Sequence, residues 1–192
     1  MNILVDELPT SVTIADTEYQ IETDFRTCLK IIMAFEDNSL TSYEKQIVLL
    51  VNLYSVVPND IQSALEQANW FLNGGKEKST DEGDEEANPR VYSFAKDANF
   101  IFAAFRQTHG IDLQTAKLHW WSFLALFMDL GQDTTFCQLT ALRKRLKTGK
   151  ATKEERATAR EMGEMVDLPE LDMRTLDEKE REAEFMRLIG KT

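Results

Sequence analysis

Histidine is the residue type best suited to acid–base or metal chemistry near neutral pH, and the chain contains two, His109 and His119. Their ten-residue spacing is not that of a zinc site, and no cluster of cysteine or carboxylate residues accompanies them in the sequence. His109 falls at the end of one expected helix and His119 on the polar side of the next. The pattern therefore favours hydrogen-bonding or solvated roles for both residues.

Two aspartates offer a second route to chemistry, because Asp97 and Asp112 could act as a carboxylate pair in proton transfer. A helix cap explains Asp112 better, and solvation or a salt bridge to Lys96 or Arg106 explains Asp97. No serine has the flanking residues of a nucleophile elbow. We therefore predict that the protein is not an enzyme and has no catalytic residue, bound cofactor or metal.

Three other features suggest ligand or redox sites but lack the required residues. The "GGK" at 74–76 would need a glycine at Trp70 and a serine or threonine at Glu77 to form a phosphate-binding loop. The acidic run at 81–86 lacks the ligand spacing of a calcium-binding loop. Cys28 and Cys137 each fall in an apolar helical pattern, so they are expected to be buried free thiols.

The chain is strongly acidic, with a formal net charge of −11. Nucleic acids and anionic membranes both attract clustered lysine and arginine, so neither is an expected partner. The N-terminus lacks the basic and apolar regions of a signal peptide, which predicts a cytoplasmic location. Residues 1–73 are acidic and residues 91–146 mildly basic, which is compatible with pairing between them within a chain or in a homo-oligomer.

The elements of the first part of the chain follow from its apolar spacing. Period-two alternation over residues 11–22 predicts a β-hairpin, and helical spacing begins at Asp24. Thr41 and Glu44 have the spacing of a capping box, which predicts the start of a second helix. Pro58 suits the first turn of a third helix.

The second part should contain two further long helices. The first carries an apolar face from Phe94 to Phe105 and is expected to end at Gly110. Asp112 is expected to cap the next one, which contains "LHWWSFLALFMDL" at 118–130. Apolar residues cover most of that helix, which predicts burial on most of its surface.

The two adjacent tryptophans lie on this helix. Trp120 and Trp121 should project about 100° apart, so they are not expected to face one pocket. The helix is not expected to span a membrane, because Lys117, His119 and Asp129 interrupt its apolar residues.

The C-terminal part is more polar. Asp133 is expected to cap a helix that ends in the basic residues 143–145. These residues suit the negative end of the helix dipole, and the alternative is a docking patch. Thr152 and Thr175 each have capping-box spacing and predict two more helices with sparse apolar residues.

These patterns predict a mainly α fold, a bundle of five to six core helices with a short N-terminal β-hairpin and exposed C-terminal helices. Residues 1–73 would supply the hairpin and three helices, and residues 91–146 would complete the same core. Residues 74–90 contain no Val, Ile, Leu, Met, Phe, Trp or Tyr, so they are expected to form a mobile acidic linker. Residues 147–192 would form a charged helical tail.

The segments "FAKDANFIFAAFRQTHGIDL", "LHWWSFLALFMDL" and "TTFCQLTALR" resemble the phage and prophage proteins called the "gene product fifteen" family. The N-terminus is similar as well, with "LP" followed by a hairpin and "TDFR" at 23–26. The resemblance runs from about Leu8 to Arg145, and most members have Tyr in place of His109. The residues that carry it are Phe25, Arg26, Asp97, Phe105, Gly110, Ile111, Asp112, Leu113, His119, Trp120, Trp121 and Phe123.

The expected function comes from this resemblance and not from the residue pattern. The genes of the family typically lie between those of the tail tube and tape measure proteins. The resemblance therefore implies a tail assembly chaperone in the host cytoplasm that binds the tape measure protein, the tail tube subunits or both. The alternative is a structural tail or connector component of the virion, whose hairpin adds to a neighbour's sheet.

Overall fold

The computed structural model describes residues 2–76 and 89–170. Near its start, β1 (Ser11–Ile14) and β2 (Thr17–Gln20) form the predicted antiparallel hairpin. Ala15 and Asp16 between them have φ values of 45° and 60°, as in a two-residue type I′ turn. Alternation in β1 buries Val12 and Ile14, so one face of the hairpin lies against the core.

Helices make up most of the described chain, which confirms the prediction of a mainly α fold. There are seven: α1 (Phe25–Glu36), α2 (Ser42–Leu53), α3 (Ile61–Leu72), α4 (Ala98–His109), α5 (Trp120–Met128), α6 (Thr135–Lys147) and α7 (Lys153–Met162). A short 3₁₀ turn, Gly163–Met165, follows α7. Helices α1 to α6 all bury apolar residues, whereas α7 buries none.

Several helix ends were predicted correctly because their signals are local. Thr41 and Glu44 form the capping box of α2, and their hydrogen bonds hold the pKa of the Glu44 carboxyl below its usual value. Thr152 and Glu155 form a second capping box at α7. Gly110 ends α4 with φ 68°, the left-handed conformation that favours glycine.

Other helix starts differ from the prediction. Pro58 lies before α3, whose N-cap is Asp60, and the proline side chain is fully buried there. Helix α4 begins at Ala98, because residues 94–97 form a turn. The cap of α6 is Thr134 and not Asp133; the Thr134 hydroxyl accepts a hydrogen bond from the Cys137 amide.

The largest correction concerns the tryptophan-bearing helix, which begins at Trp120 and not after Asp112. Residues 111–118 are irregular. The Asp112 carboxylate accepts a hydrogen bond from the Gln114 amide at 2.9 Å and pairs with Arg106, so it closes a turn and caps no α-helix. His119 is the N-cap of α5 instead.

A single apolar cluster extends from Val12 to Phe136 and draws residues from both sides of residues 77–88. The predicted division of the chain, including a mobile linker, stays a prediction, since 77–88 lie outside the described residues. The linker's predicted ends are packed: Gly75 lies against Trp121, and Arg90 pairs with Glu36 at 3.1 Å. The helix predicted from Thr175 also falls outside the described residues.

Candidate functional site

The starts of α1 and α5 are joined by backbone hydrogen bonds. The Phe25 amide donates to the Leu118 carbonyl at 3.1 Å, and the Trp120 amide donates to the Thr23 carbonyl at 2.7 Å. Two segments about 95 residues apart in the sequence therefore pair like short β-strands just before each becomes a helix. We call this pairing the α1–α5 seam.

The His119 side chain forms two further hydrogen bonds beside the seam. Its Nδ1 accepts a hydrogen bond from the Trp121 amide at 3.0 Å, which makes the imidazole the N-cap of α5. Its Nε2 lies 2.9 Å from the Pro9 carbonyl and donates to it. Both ring nitrogens are thus used in structural bonds, in agreement with the predicted hydrogen-bonding role.

The two tryptophans converge, and both line one cavity, contrary to the prediction that they do not face one pocket. The Trp120 indole donates to the Leu72 carbonyl at 2.9 Å, and the Trp121 indole donates to the Phe71 carbonyl at 2.7 Å. The last carbonyls of a helix have no partner within it, so the indoles satisfy the end of α3. The two indoles therefore reach neighbouring carbonyls of α3, although their side chains start about 100° apart around α5.

A glycine makes this contact possible. Gly75 has φ 77°, and its amide donates to the Trp70 carbonyl at 2.9 Å. A Cβ atom at this position would lie 2.6 Å from Cη2 of Trp121, inside van der Waals contact. The residue is therefore required to be glycine both for its backbone conformation and for the ring beside it.

Arg26 fastens the irregular segment before α5. Its Nη2 donates to the carbonyl oxygens of Leu113 at 2.7 Å and Gln114 at 3.0 Å, and its guanidinium lies 4.5 Å from the centre of the Phe25 ring. The "TDFR" and "GIDL" motifs thus meet in space, since the arginine of the first holds the carbonyl of the last residue of the second and that of the residue after it.

Phe123 lies at the centre of the aromatic core. It is fully buried, and four nearly parallel rings stack on it at centroid distances of 5.0 to 6.0 Å: Phe25, Phe105, Trp120 and Phe127. Such pairs each contribute about 0.5–1.5 kcal/mol beyond the burial of their area. The aromatic motif residues around Phe123 therefore form part of the buried core.

Asp97 has a different partner from those predicted. Its two carboxylate oxygens accept hydrogen bonds from Arg143 at 2.7 and 3.0 Å, and both side chains are only 1% exposed. The three other N–H groups of the guanidinium donate to the carbonyls of Val91, Met165 and Val166. All five donors of Arg143 are satisfied, so this arginine joins α6 to the start of α4 and to the turn after α7.

The sequence predicts Arg143 as part of a basic helix end, whereas the structure buries it. A signal was present, because it follows Leu139 by four residues and so shares the buried face of α6. The remaining motif residues, Ile111 and Leu113, are half-buried in the segment that Arg26 holds.

A large apolar cleft opens beside the tryptophans, with a volume of about 950 Å³. Its walls come from α1, α2, the end of α3, residues 73–76 and α5. We call it the apolar cleft; its main lining residues are Ile31, Ile32, Phe35, Leu49, Leu72, Tyr92, Phe94, Trp120, Trp121, Leu124, Ala125 and Met128. Ile3 reaches it from the N-terminal segment.

Helix α5 is buried or half-buried along most of its length, as predicted, but its burial is incomplete at the cleft. Met128 is 80% exposed and Ala125 is also exposed, on the stripe that Trp121 begins. On α1, Phe35 is 40% exposed at the same cleft. The apolar side of α5 facing this cleft thus has no complete cover from the described part of the chain.

The chemical groups near this region are held in structural roles. His109 Nε2 lies 2.9 Å from the Leu126 carbonyl, and burial raises the pKa of the Cys28 thiol to about 12. Among residues 2–76 and 89–170, no group of three or more His, Cys, Asp or Glu side chains is arranged to hold a metal ion. No helix in the same residues has the length and apolar content needed to cross a bilayer.

Comparison with known protein families gives a match over most of the chain. The family model described as "Bacteriophage Gp15 protein" matches residues 4–168, which extends past the region of resemblance seen in the sequence and includes α7. No curated protein and no solved structure matches the chain. With most of its length matched, the chain belongs to the bacteriophage Gp15 protein family, whose members are indicated to be phage structural or morphogenesis proteins.

Proposed function

We propose that this protein is a tail assembly chaperone that binds the tape measure protein, the tail tube subunits or both. The observation that carries the proposal is the apolar cleft, which is open to solvent and walled mainly by apolar side chains, with Asn69, Asn73 and Lys76 at one side. Grooves of this kind accept the apolar face of an amphipathic helix from a partner. An apolar segment of the tape measure protein has the matching chemistry.

The walls of the cleft differ in stiffness, which suits a protein that binds several related segments. Trp120 and Trp121 are fixed by their indole hydrogen bonds to α3, so one wall is formed before any partner arrives. Met128 and Phe35 are exposed at the rim. Methionine side chains adapt easily to different apolar surfaces, so this rim can fit segments of unequal shape.

The test is co-expression with the adjacent tape measure gene, with soluble tape measure protein as the measurement. We expect more soluble tape measure protein in the presence of this chain and a loss of that effect in Met128→Asp. Val56→Asp is the matched control, because Val56 is also highly exposed, at 71%, but does not line the cleft. Equal solubility of the tape measure protein with and without this chain would refute the proposal.

A structural role in the virion is the second candidate, and the hairpin favours it. Its sheet has only two strands, so within the described residues each strand has an edge without a strand partner. A neighbouring subunit could add a strand at such an edge. Mass spectrometry of purified particles separates the candidates, since a chaperone is expected to be absent and a structural component present at fixed copy number.

A further inference from the structure

The described chain ends on hydrogen bonds to Asn38 and Arg90, which lie two or three positions from residues of the apolar cleft. We propose that the C-terminal segment, residues 171–192, docks in the apolar cleft of its own chain. The proposal goes beyond a role in tail assembly and does not depend on it. It rests on the position of residues 169–170, on the apolar content of the segment and on its reach.

Two side chains that neighbour cleft residues in the sequence hold the chain just before the segment begins. Arg90 Nη1 donates to the Pro169 carbonyl at 2.8 Å, and Asn38 Nδ2 donates to the Glu170 carbonyl at 2.7 Å. Asn38 follows the cleft residue Phe35 by three positions, so their Cα atoms are at most about 11 Å apart. Arg90 precedes another cleft residue, Tyr92, by two positions.

The path to this point is fixed by a buried group. Arg143 holds the carbonyls of Met165 and Val166 at 2.7 and 2.8 Å, only a few residues before Pro169. Because the guanidinium is buried and fully hydrogen-bonded, the chain leaves α7 in a defined direction. Residue 171 therefore starts from a set place beside the cleft.

Composition distinguishes this segment from the other stretch that borders the cleft. Residues 77–88 follow the cleft residue Lys76, but their only apolar side chain is that of Ala87. Residues 171–192 contain several large apolar side chains: Leu171, Met173, Leu176, Phe185, Met186, Leu188 and Ile189. Only this segment has side chains suited to the walls of the cleft.

Its length is also sufficient. Phe185 lies 15 residues after Glu170, which corresponds to about 22 Å in a helix and about 50 Å in an extended chain. Phe185, Leu188 and Ile189 have the spacing of one helical face, so they can enter an apolar groove together. A tethered segment has an effective concentration on the order of millimolar, so a weak contact suffices and any partner must compete with it.

Paramagnetic broadening in the full chain tests this docking. A nitroxide is attached at Thr192→Cys in a Cys137→Ser background, where the remaining Cys28 is fully buried. The readout is the ¹³C-methyl signal of Met128, which lines the cleft and is highly exposed. We expect this signal to be lost in the spin-labelled protein and recovered when the nitroxide is reduced.

Two neighbouring substitutions decide whether apolar docking is the cause. Leu188→Glu is expected to restore the Met128 signal, whereas Arg187→Glu, on a different side of the same helical turn, is expected to leave it broadened. A Met128 signal that is unaffected by the nitroxide overturns the proposal. The proposal is also overturned if the Met128 signal broadens only when spin-labelled chains are mixed with separate isotope-labelled chains. The segment in the cleft would then come from a second copy of the protein. No phage partner is present, so neither result bears on the chaperone proposal.

Discussion

The buried pair of Asp97 and Arg143 provides the sharpest test of how the fold is held together. Asp97→Ala leaves the guanidinium with its three carbonyl partners but without the counter-charge, in a site where both side chains are 1% exposed. Removing one member of a buried pair costs about 3–5 kcal/mol, because the other charge is left uncompensated. That is a large part of the roughly 5–15 kcal/mol that stabilises a typical domain.

Arg143→Met is expected to cost at least as much. Among the described residues, the Asp97 carboxylate then keeps the Ser93 amide, at 3.0 Å, as its remaining hydrogen-bond donor. The substitution also removes the guanidinium N–H groups that donate to three backbone carbonyls. The double variant should cost less than the sum of the two single variants, by about 0.5–3 kcal/mol. Urea unfolding followed by far-ultraviolet circular dichroism measures all three free energies.

A neighbouring exposed pair supplies the control. Arg106 and Asp112 lie 2.8 Å apart, but their side chains are 62% and 36% exposed. Arg106→Ala is therefore expected to cost about 0–1 kcal/mol. If Asp97→Ala and Arg143→Met cost no more than Arg106→Ala, the burial argument is wrong. Hydrogen exchange adds a local readout, since Arg143→Met should also accelerate exchange of the amides of residues 163–168.

Three further predictions follow from single side chains. Trp120→Ala should lower the free energy of unfolding in urea by about 3–5 kcal/mol, because the ring is fully buried. His119→Ala should lower it by about 0.5–2 kcal/mol, as expected for the loss of an N-cap. Equal losses of stability in the two variants would contradict these roles. In a Cys137→Ser background, Cys28 should react with Ellman's reagent at pH 8 only as fast as the protein opens, because burial raises its thiol pKa to about 12; a rapid stoichiometric reaction would refute this. Hydrogen bonds from the Ser63 hydroxyl and amide hold the pKa of the Asp60 carboxyl below its value in the unfolded chain. The stability that the ionised Asp60 contributes is therefore present above the unfolded pKa and is lost as the pH falls through the folded pKa. Asp60→Asn keeps a cap acceptor but does not titrate, so unfolding measured from pH 6 to pH 2 should show a smaller loss of stability than in the parent; an unchanged profile would count against this cap.

Local features of the fold could be predicted because their signals lie within a few residues. The capping box of Thr41 and Glu44, the left-handed end at Gly110 and the hairpin alternation each depend on neighbouring side chains alone. These signals also gave the mainly α class. The exact first residue of a helix was less certain where several capping residues occur together, as with Asp133 and Thr134.

The candidate site depends on contacts that sequence spacing does not specify. Helix α5 begins late because the backbone before Trp120 pairs with Thr23 and Phe25, far away in the sequence. The pairing of Asp97 with Arg143 spans 46 residues and could not be read from either helix alone. The cleft was missed because an apolar stripe on a helix predicts burial and does not say when that burial is left incomplete.

The α1–α5 seam cannot form until α5 has been synthesised. Helix α1 leaves the ribosome about 100 residues before the end of α5, a delay of roughly 5–20 s at 5–20 residues per second. Throughout that interval Phe25 lacks Phe123, the ring that stacks on it in the finished protein. The nascent N-terminal half therefore presents an unfinished aromatic surface to its surroundings, and Phe123 is the residue whose arrival completes it.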